Sequence, residues 1–269
     1  MNITQVDANA TTRLATAPPA FDVDERTRAD VELLGSVRFL CQSGLTAEPP
    51  SAPQRRLLAL LALRSAATTS LDDLAEILGT STGAVRTGMS RLRRTLGCGR
   101  IRTESHGYRW TGTVDVAEVE RLARDRSTPN RLDVVDRALS MWRGDALSEF
   151  RHEAWAQPEA CRLDELRLQL LDERAELLIS SERHAEAVLA LIPRVVDQPL
   201  RDRTQGLLIL ALAGEGRQAD ALRNYQQYRR YLIEQLGIEP SPWVTMVEQA
   251  VATGDPSVIS GIERRSTGW

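Results

Sequence analysis

At 269 residues the chain has room for two domains of about 150 residues each, and its 42% apolar content supports ordinary buried cores rather than a fibrous or wholly disordered polymer. Its net charge of −3 excludes a uniformly basic protein, so any attraction to a polyanion must be local. All 34 basic residues are arginine, a bias that reflects codon usage in a GC-rich genome rather than a physical demand.

The charge is unevenly spread. Residues 51–112 hold ten Arg against four acids, residues 1–50 four against seven, and residues 113–269 twenty against twenty-six. Positive charge is therefore concentrated in one stretch, as a nucleic-acid-binding segment would have it.

In chain order, residues 1–30 are rich in Ala, Thr, Asp and Pro, have no apolar period, and read as disordered. They lack the basic start and apolar core of a secretory signal. No run approaches the roughly 18 apolar residues of a membrane helix, so the expectation is a cytoplasmic protein with no membrane partner. Cys41, Cys98 and Cys161 are far apart and odd in number, which favours free thiols over disulfides.

Ser70 offers an N-cap hydroxyl with Asp73 three positions on, and Leu71, Leu74, Ala75 and Leu78 share one face of the helix that follows, which stops at Gly79. Thr80 or Ser81 caps a second helix on which Val85, Met89, Leu92 and Leu96 recur at helical spacing. If those four face a core, Thr82, Arg86, Ser90, Arg93 and Arg94 face outward, with Arg91 on the flank. Two helices joined by so short a turn predict a helix-turn-helix. Beyond Gly97, residues 100–103 and the mirrored Tyr108, Arg109 and Trp110 read as two strands joined through His106 and Gly107, a wing.

Duplex DNA explains these residue types, because a helix fits the major groove and a guanidinium can fork onto guanine or bridge phosphates. Arg86, Ser90 and Thr82 are the candidate base contacts. Arg91, Arg93, Arg94, Arg100, Arg102 and Arg109 are the candidate backbone contacts.

From the wing onward the pattern is helical: Asp115 to Arg126, Arg131 to Trp142, Trp155 to Ser181, His184 to Val196, Leu200 to Ala213, Gln218 to Leu236 and Ser241 to Val251, separated by Gly, Pro and Asn. RHAEAV at 183–188 recurs as RQADAL at 217–222, an offset of 34 that is the tetratricopeptide period. Tyr225, Tyr228 and Tyr231 either pack between helices or line a ligand surface, while Trp142 and Trp155 read as core anchors.

Nothing indicates catalysis, a cofactor or a metal. His106, His152 and His184 are dispersed, no phosphate-binding G-x-x-x-x-G-K-[ST] loop exists, and the adjacent Asp72 and Asp73 suit a helix first turn better than acid–base work.

The segment SRLRRTL at 90–96 and the wing end GYR at 107–109 resemble the response-regulator type of winged helix-turn-helix, the effector fold of phosphorelays, as found in the Streptomyces antibiotic regulatory protein family. ALSMWRGDAL at 138–147, the EAxRLDELRLxLL pattern at 159–171 and GRQADALRNYQQYRRYLIEQLGIEPSP at 216–242 resemble the bacterial transcriptional activation domain that follows the winged helix there. The resemblance implies a small sheet and a helix ahead of the motif, for which the chain offers VELLGSVRF at 31–39 and RRLLALLAL at 55–63. It also implies a major-groove helix at about Thr82 to Gly97, promoter DNA carrying direct repeats, contact with RNA polymerase, a possible homodimer and control of secondary metabolism. Glu104 at the wing tip and the short turn at 79–81 depart from that pattern.

The expected fold class is mainly α: an N-terminal winged helix-turn-helix of small sheets plus three helices over 31–112, an all-α tetratricopeptide-like domain over 113–253, and tails at 1–30 and 254–269. The expected function is a sequence-specific transcriptional regulator, in particular a pathway-specific activator. The alternatives are a DNA-binding repressor and a protein-interaction adaptor whose winged helix does not bind DNA.

Overall fold

The computed structural model describes residues 29–41, 43–97 and 99–254. The expected tails over 1–28 and 255–269, and the thiol of Cys98, lie outside the described residues. Ala29 and Asp30, assigned above to the disordered segment, belong to the fold. Ala29 is buried, and Asp30 exchanges hydrogen bonds with Thr113 at 2.9 and 2.8 Å, pairing that composition does not reveal.

VELLGSVRF forms a hairpin. Strands β1 (Val31–Glu32), β2 (Arg38–Leu40) and β3 (Thr46–Ala47) make an antiparallel sheet in that order, with Phe39 opposite both Val31 and Ala47. The intervening Leu33–Val37 leaves the ladder because its backbone is engaged elsewhere. Helix α1 (Ala52–Leu63) follows, starting with Pro53 in the first turn, where its missing N–H costs nothing, and burying Leu57, Leu58, Leu60 and Leu61.

Strand β4 (Thr69–Ser70) leads into helix α2 (Leu71–Ile77), where the Ser70 hydroxyl accepts from Asp73 N at 3.0 Å. The Ser81 hydroxyl accepts from Ala84 N at 3.2 Å and caps helix α3 (Thr82–Leu96), which ends at Gly97 with φ 62°, a left-handed stop that glycine adopts without penalty. Strands β5 (Ile101–Thr103) and β6 (Gly107–Trp110) form the wing, and β6 also pairs with β4. At that junction a Cβ on Gly107 would stand 2.0 Å from the Thr69 carbonyl oxygen, so only glycine permits the approach.

Seven helices complete the described chain: α4 (Asp115–Arg124), α5 (Arg131–Ser140), α6 (Gln157–Ser180), α7 (His184–Asp197), α8 (Asp202–Gly214), α9 (Gln218–Leu236) and α10 (Pro242–Thr253). All of their ends lie within two residues of the sequence reading; Asp125 and Arg126, for instance, pass into the α4–α5 connection, and Leu200 and Arg201 precede α8. Among the described residues no helix is long and apolar enough to cross a membrane.

The apolar interior forms two clusters. The first runs from Val31 through Leu61, Leu92, Trp110, Val119, Trp142 and Leu147 to Leu170, so α4, α5 and the front of α6 share a core with the winged helix. The second runs from Ala175 to Val251. The change of core falls inside α6.

A buried clamp joins the first part to the second. The backbone N–H groups of Leu33 and Leu34 donate to the Asp115 carboxylate at 2.8–2.9 Å, and Arg143 N and Leu147 N donate to the Leu34 and Leu33 carbonyls at 2.8 and 2.9 Å. Asp115 is 2% exposed, and burial outweighs these donors to push its carboxyl up to about 6.

The 34-residue repeat is structural. Helices α7 and α9 begin 34 residues apart, Ala187 and Ala221 are both fully buried, and the residues ahead of them, Glu182 and Gly216, both have positive φ, at 59° and 77°. The ring of Tyr225 is buried and Tyr228 donates its hydroxyl to the Asp202 carboxylate, so two of the three tyrosines pack between helices while Tyr231 stays exposed. Trp142 is a core residue and Trp155 packs against Phe150 at 5.6 Å.

Candidate nucleic-acid interface

Helix α3 buries the four residues its spacing selects: Val85, Met89, Leu92 and Leu96. That seats the helix on α1 closely enough that a Cβ on Gly88 would meet the Leu57 methyl at 2.9 Å. The opposite face is exposed at Arg86, Thr87, Ser90, Arg91 and Arg94, with Thr82 half-buried in the first turn. Thr87, absent from the sequence reading, stands among them and donates its hydroxyl to the Gly83 carbonyl at 3.1 Å. Its place at i+1 from Arg86 and i−3 from Ser90 was the available signal.

The wing adds exposed Arg102 on β5 and Arg109 on β6, opposite each other across the ladder. Among the described residues, neither these two guanidiniums nor those of Arg86, Arg91 and Arg94 have an ion pair or side-chain hydrogen bond. Most described arginines elsewhere are paired with acids: Arg131 with Glu173 at 2.6 Å, Arg194 with Asp172 at 2.8 Å, Arg203 with Glu176 at 2.5 Å. A set of unneutralised guanidiniums on the exposed face of α3 and its neighbouring hairpin is the charge arrangement a phosphate backbone attracts.

Two expected backbone contacts are committed internally. Arg93 is half-buried, and its Nη2 donates to the Ile101 carbonyl at 3.0 Å and to Thr103 Oγ1 at 2.7 Å. Arg100 is half-buried too, pairing with Asp30 at 2.6 Å and donating to the Leu40 carbonyl at 3.2 Å. Helical spacing places Arg93 on the outer half of α3 but cannot show that the wing folds back to meet it. The half-buried Glu104 lies in the wing turn, its N–H donating to the Gly107 carbonyl at 3.0 Å.

The second part of the molecule braces this platform. Arg55 and Arg56 of α1 pair with Glu149 and Glu153 at 2.5 and 2.6 Å, and Arg143 with Glu32 at 3.2 Å. Among the described residues no group of His, Cys, Asp and Glu is arranged to hold a metal ion.

Comparison with known proteins agrees with this architecture. Residues 113–252 match the model of the Bacterial transcriptional activator domain family. Regulatory protein AfsR of Streptomyces coelicolor is 36% identical over 89% of this chain, and regulatory protein DnrI of Streptomyces peucetius is 30% identical over 54%. The chain spans 26% of the length of that AfsR and 56% of that DnrI. The solved structure of Mycobacterium tuberculosis EmbR in complex with a low affinity phosphopeptide superposes with a TM-score of 0.75 at 25% identity, over 90% of this chain and 69% of that one. Helical repeats of this sequence, placed behind a winged helix-turn-helix, make the chain a member of the Bacterial transcriptional activator domain family, in the arrangement of the Streptomyces antibiotic regulatory proteins.

Proposed function

We propose that the chain is a sequence-specific DNA-binding transcriptional regulator that activates a set of pathway genes, with α3 in the major groove and the wing on the adjacent backbone. The observation that carries this reading is the set of five exposed guanidiniums on α3 and the wing that have no partner among the described residues, where most other described arginines are paired with acids. Arg86 and Ser90 read base edges, with Thr82 and Thr87 at the margins of the same face. Arg91, Arg94, Arg102 and Arg109 contact phosphates.

The activator sense draws on the description of the matched family and on relatives named as transcriptional regulators, such as RedD of Streptomyces coelicolor, 27% identical over 75% of this chain. Contact with RNA polymerase, occupancy of direct repeats by adjacent copies and a bacterial cytoplasmic setting belong to the same reading. So does the assignment of residues 31–112 to DNA contact and 113–253 to regulation, without a catalytic step.

Selection of genomic fragments by the purified chain at near-physiological salt, followed by sequencing, tests this. A repeated motif enriched in promoters is expected. Arg86→Ala should relax preference at one position at a cost of about 1–3 kcal/mol, while Arg94→Ala should weaken all sequences alike and reduce the salt slope by about one. Absence of enrichment, with no salt-dependent binding to duplex DNA, would transfer the weight to the adaptor reading.

A further inference from the structure

Arg93 lies between Arg91 and Arg94 in charge and sequence neighbourhood, yet it does not share their environment. Its Nη2 reaches Ile101 O and Thr103 Oγ1 on β5, and its guanidinium carbon lies 5.4 Å from the centre of the Tyr108 ring on β6. Thr103 and Tyr108 are partners across the ladder, so one side chain from the last turns of α3 grips both strands of the wing.

Engaging a phosphate through Nη2 would mean leaving both of these hydrogen-bond acceptors. A guanidinium suits this place where an ammonium does not, because the contacts need a planar donor that bonds through its edge while a ring packs on its face.

We propose that Arg93 is a positioning residue for DNA recognition: it sets the angle of the wing against α3 so that Arg102 and Arg109 meet the backbone while α3 occupies the groove, and it does not contact phosphate itself. The proposal rests on the DNA-binding reading above.

The test uses the full chain and a promoter fragment recovered by the selection, with affinity followed by fluorescence anisotropy. Arg93→Lys and Arg93→Ala should weaken binding alike, by roughly tenfold, since lysine keeps the charge but loses the planar group that bonds β5 at its edge and meets the Tyr108 ring on its face. In an Arg102→Ala/Arg109→Ala background the further effect of either should shrink below about twofold, because the wing no longer contributes contacts to misplace. In the free protein, Arg93→Lys should speed hydrogen exchange of the β5–β6 amides, while circular dichroism reports an intact helical fold.

Full affinity in Arg93→Lys, an undiminished effect in the wing-deficient background, or unchanged exchange in the hairpin would each overturn the assignment. Failure of the unsubstituted chain to bind any duplex would instead overturn the DNA-binding reading. The exchange measurement would still report whether Arg93 holds the wing.

Discussion

Asp115 shows what burial does to a single carboxylate. Its folded value of about 6 lies above the unfolded value of 3.8, so the native state holds its proton more tightly than the unfolded chain does. Its contribution to stability is therefore fully present below about pH 4, falls as pH rises towards 6, and is flat above that. The loss is on the order of 3 kcal/mol. Urea unfolding at several pH values should show this decline, and Asp115→Asn should remove it while lowering stability above about pH 6, where one amide oxygen replaces a carboxylate that accepts four hydrogen bonds from three backbone N–H groups. A decline of equal size in Asp115→Asn would assign the effect to another group. The residues of the candidate interface divide by the same logic of partners. Arg86, Ser90, Arg91 and Arg94 were legible because Val85, Met89, Leu92 and Leu96 force them outward. Arg93, Arg100 and Asp115 were not, since their partners lie 8 to 82 residues away, on elements whose docking no local period encodes.

At the scale of elements, the 34-residue repeat was readable because it is written in small residues: Ala187 and Ala221, at equivalent places near the starts of α7 and α9, are both fully buried. The turn before each copy differs in one respect. Gly216 takes its left-handed conformation without strain, whereas Glu182 holds φ 59° with a side chain attached. Glu182→Gly should therefore stabilise the protein by about 1 kcal/mol, measurable as a rise in the urea midpoint with unchanged slope. A fall in the midpoint would mean that the Glu182 side chain contributes more than its backbone loses. The hairpin at 31–40 was only half legible. The family resemblance implies a small sheet there, but Leu33 and Leu34 commit their backbone groups to Asp115, Arg143 and Leu147, so the strand breaks where tertiary partners replace the ladder.

For the whole molecule, the division of the interior matters more than the division of the sequence. A fragment comprising residues 29–112 would keep every element of the winged helix yet lose Asp115, Trp142, Leu147 and Phe150 from its core. It should fail to unfold cooperatively, whereas a fragment of residues 29–181 should show a single sigmoidal transition by circular dichroism. A cooperative transition in the shorter fragment would show that the winged helix is self-sufficient. Composition change and motif order mark residue 112 as a boundary because they report ancestry and charge, while packing ignores both. Helix α6, with 24 residues, runs from one interior into the other. At 1.5 Å of rise per residue it is a rod of roughly 36 Å, so a tilt of about five degrees imposed at its repeat end would swing the far end by roughly 3 Å, a stroke comparable to the reach of a hydrogen bond. A load applied to the repeats would thus arrive as a displacement of that size in the interior that α4, α5 and the front of α6 share with the winged helix.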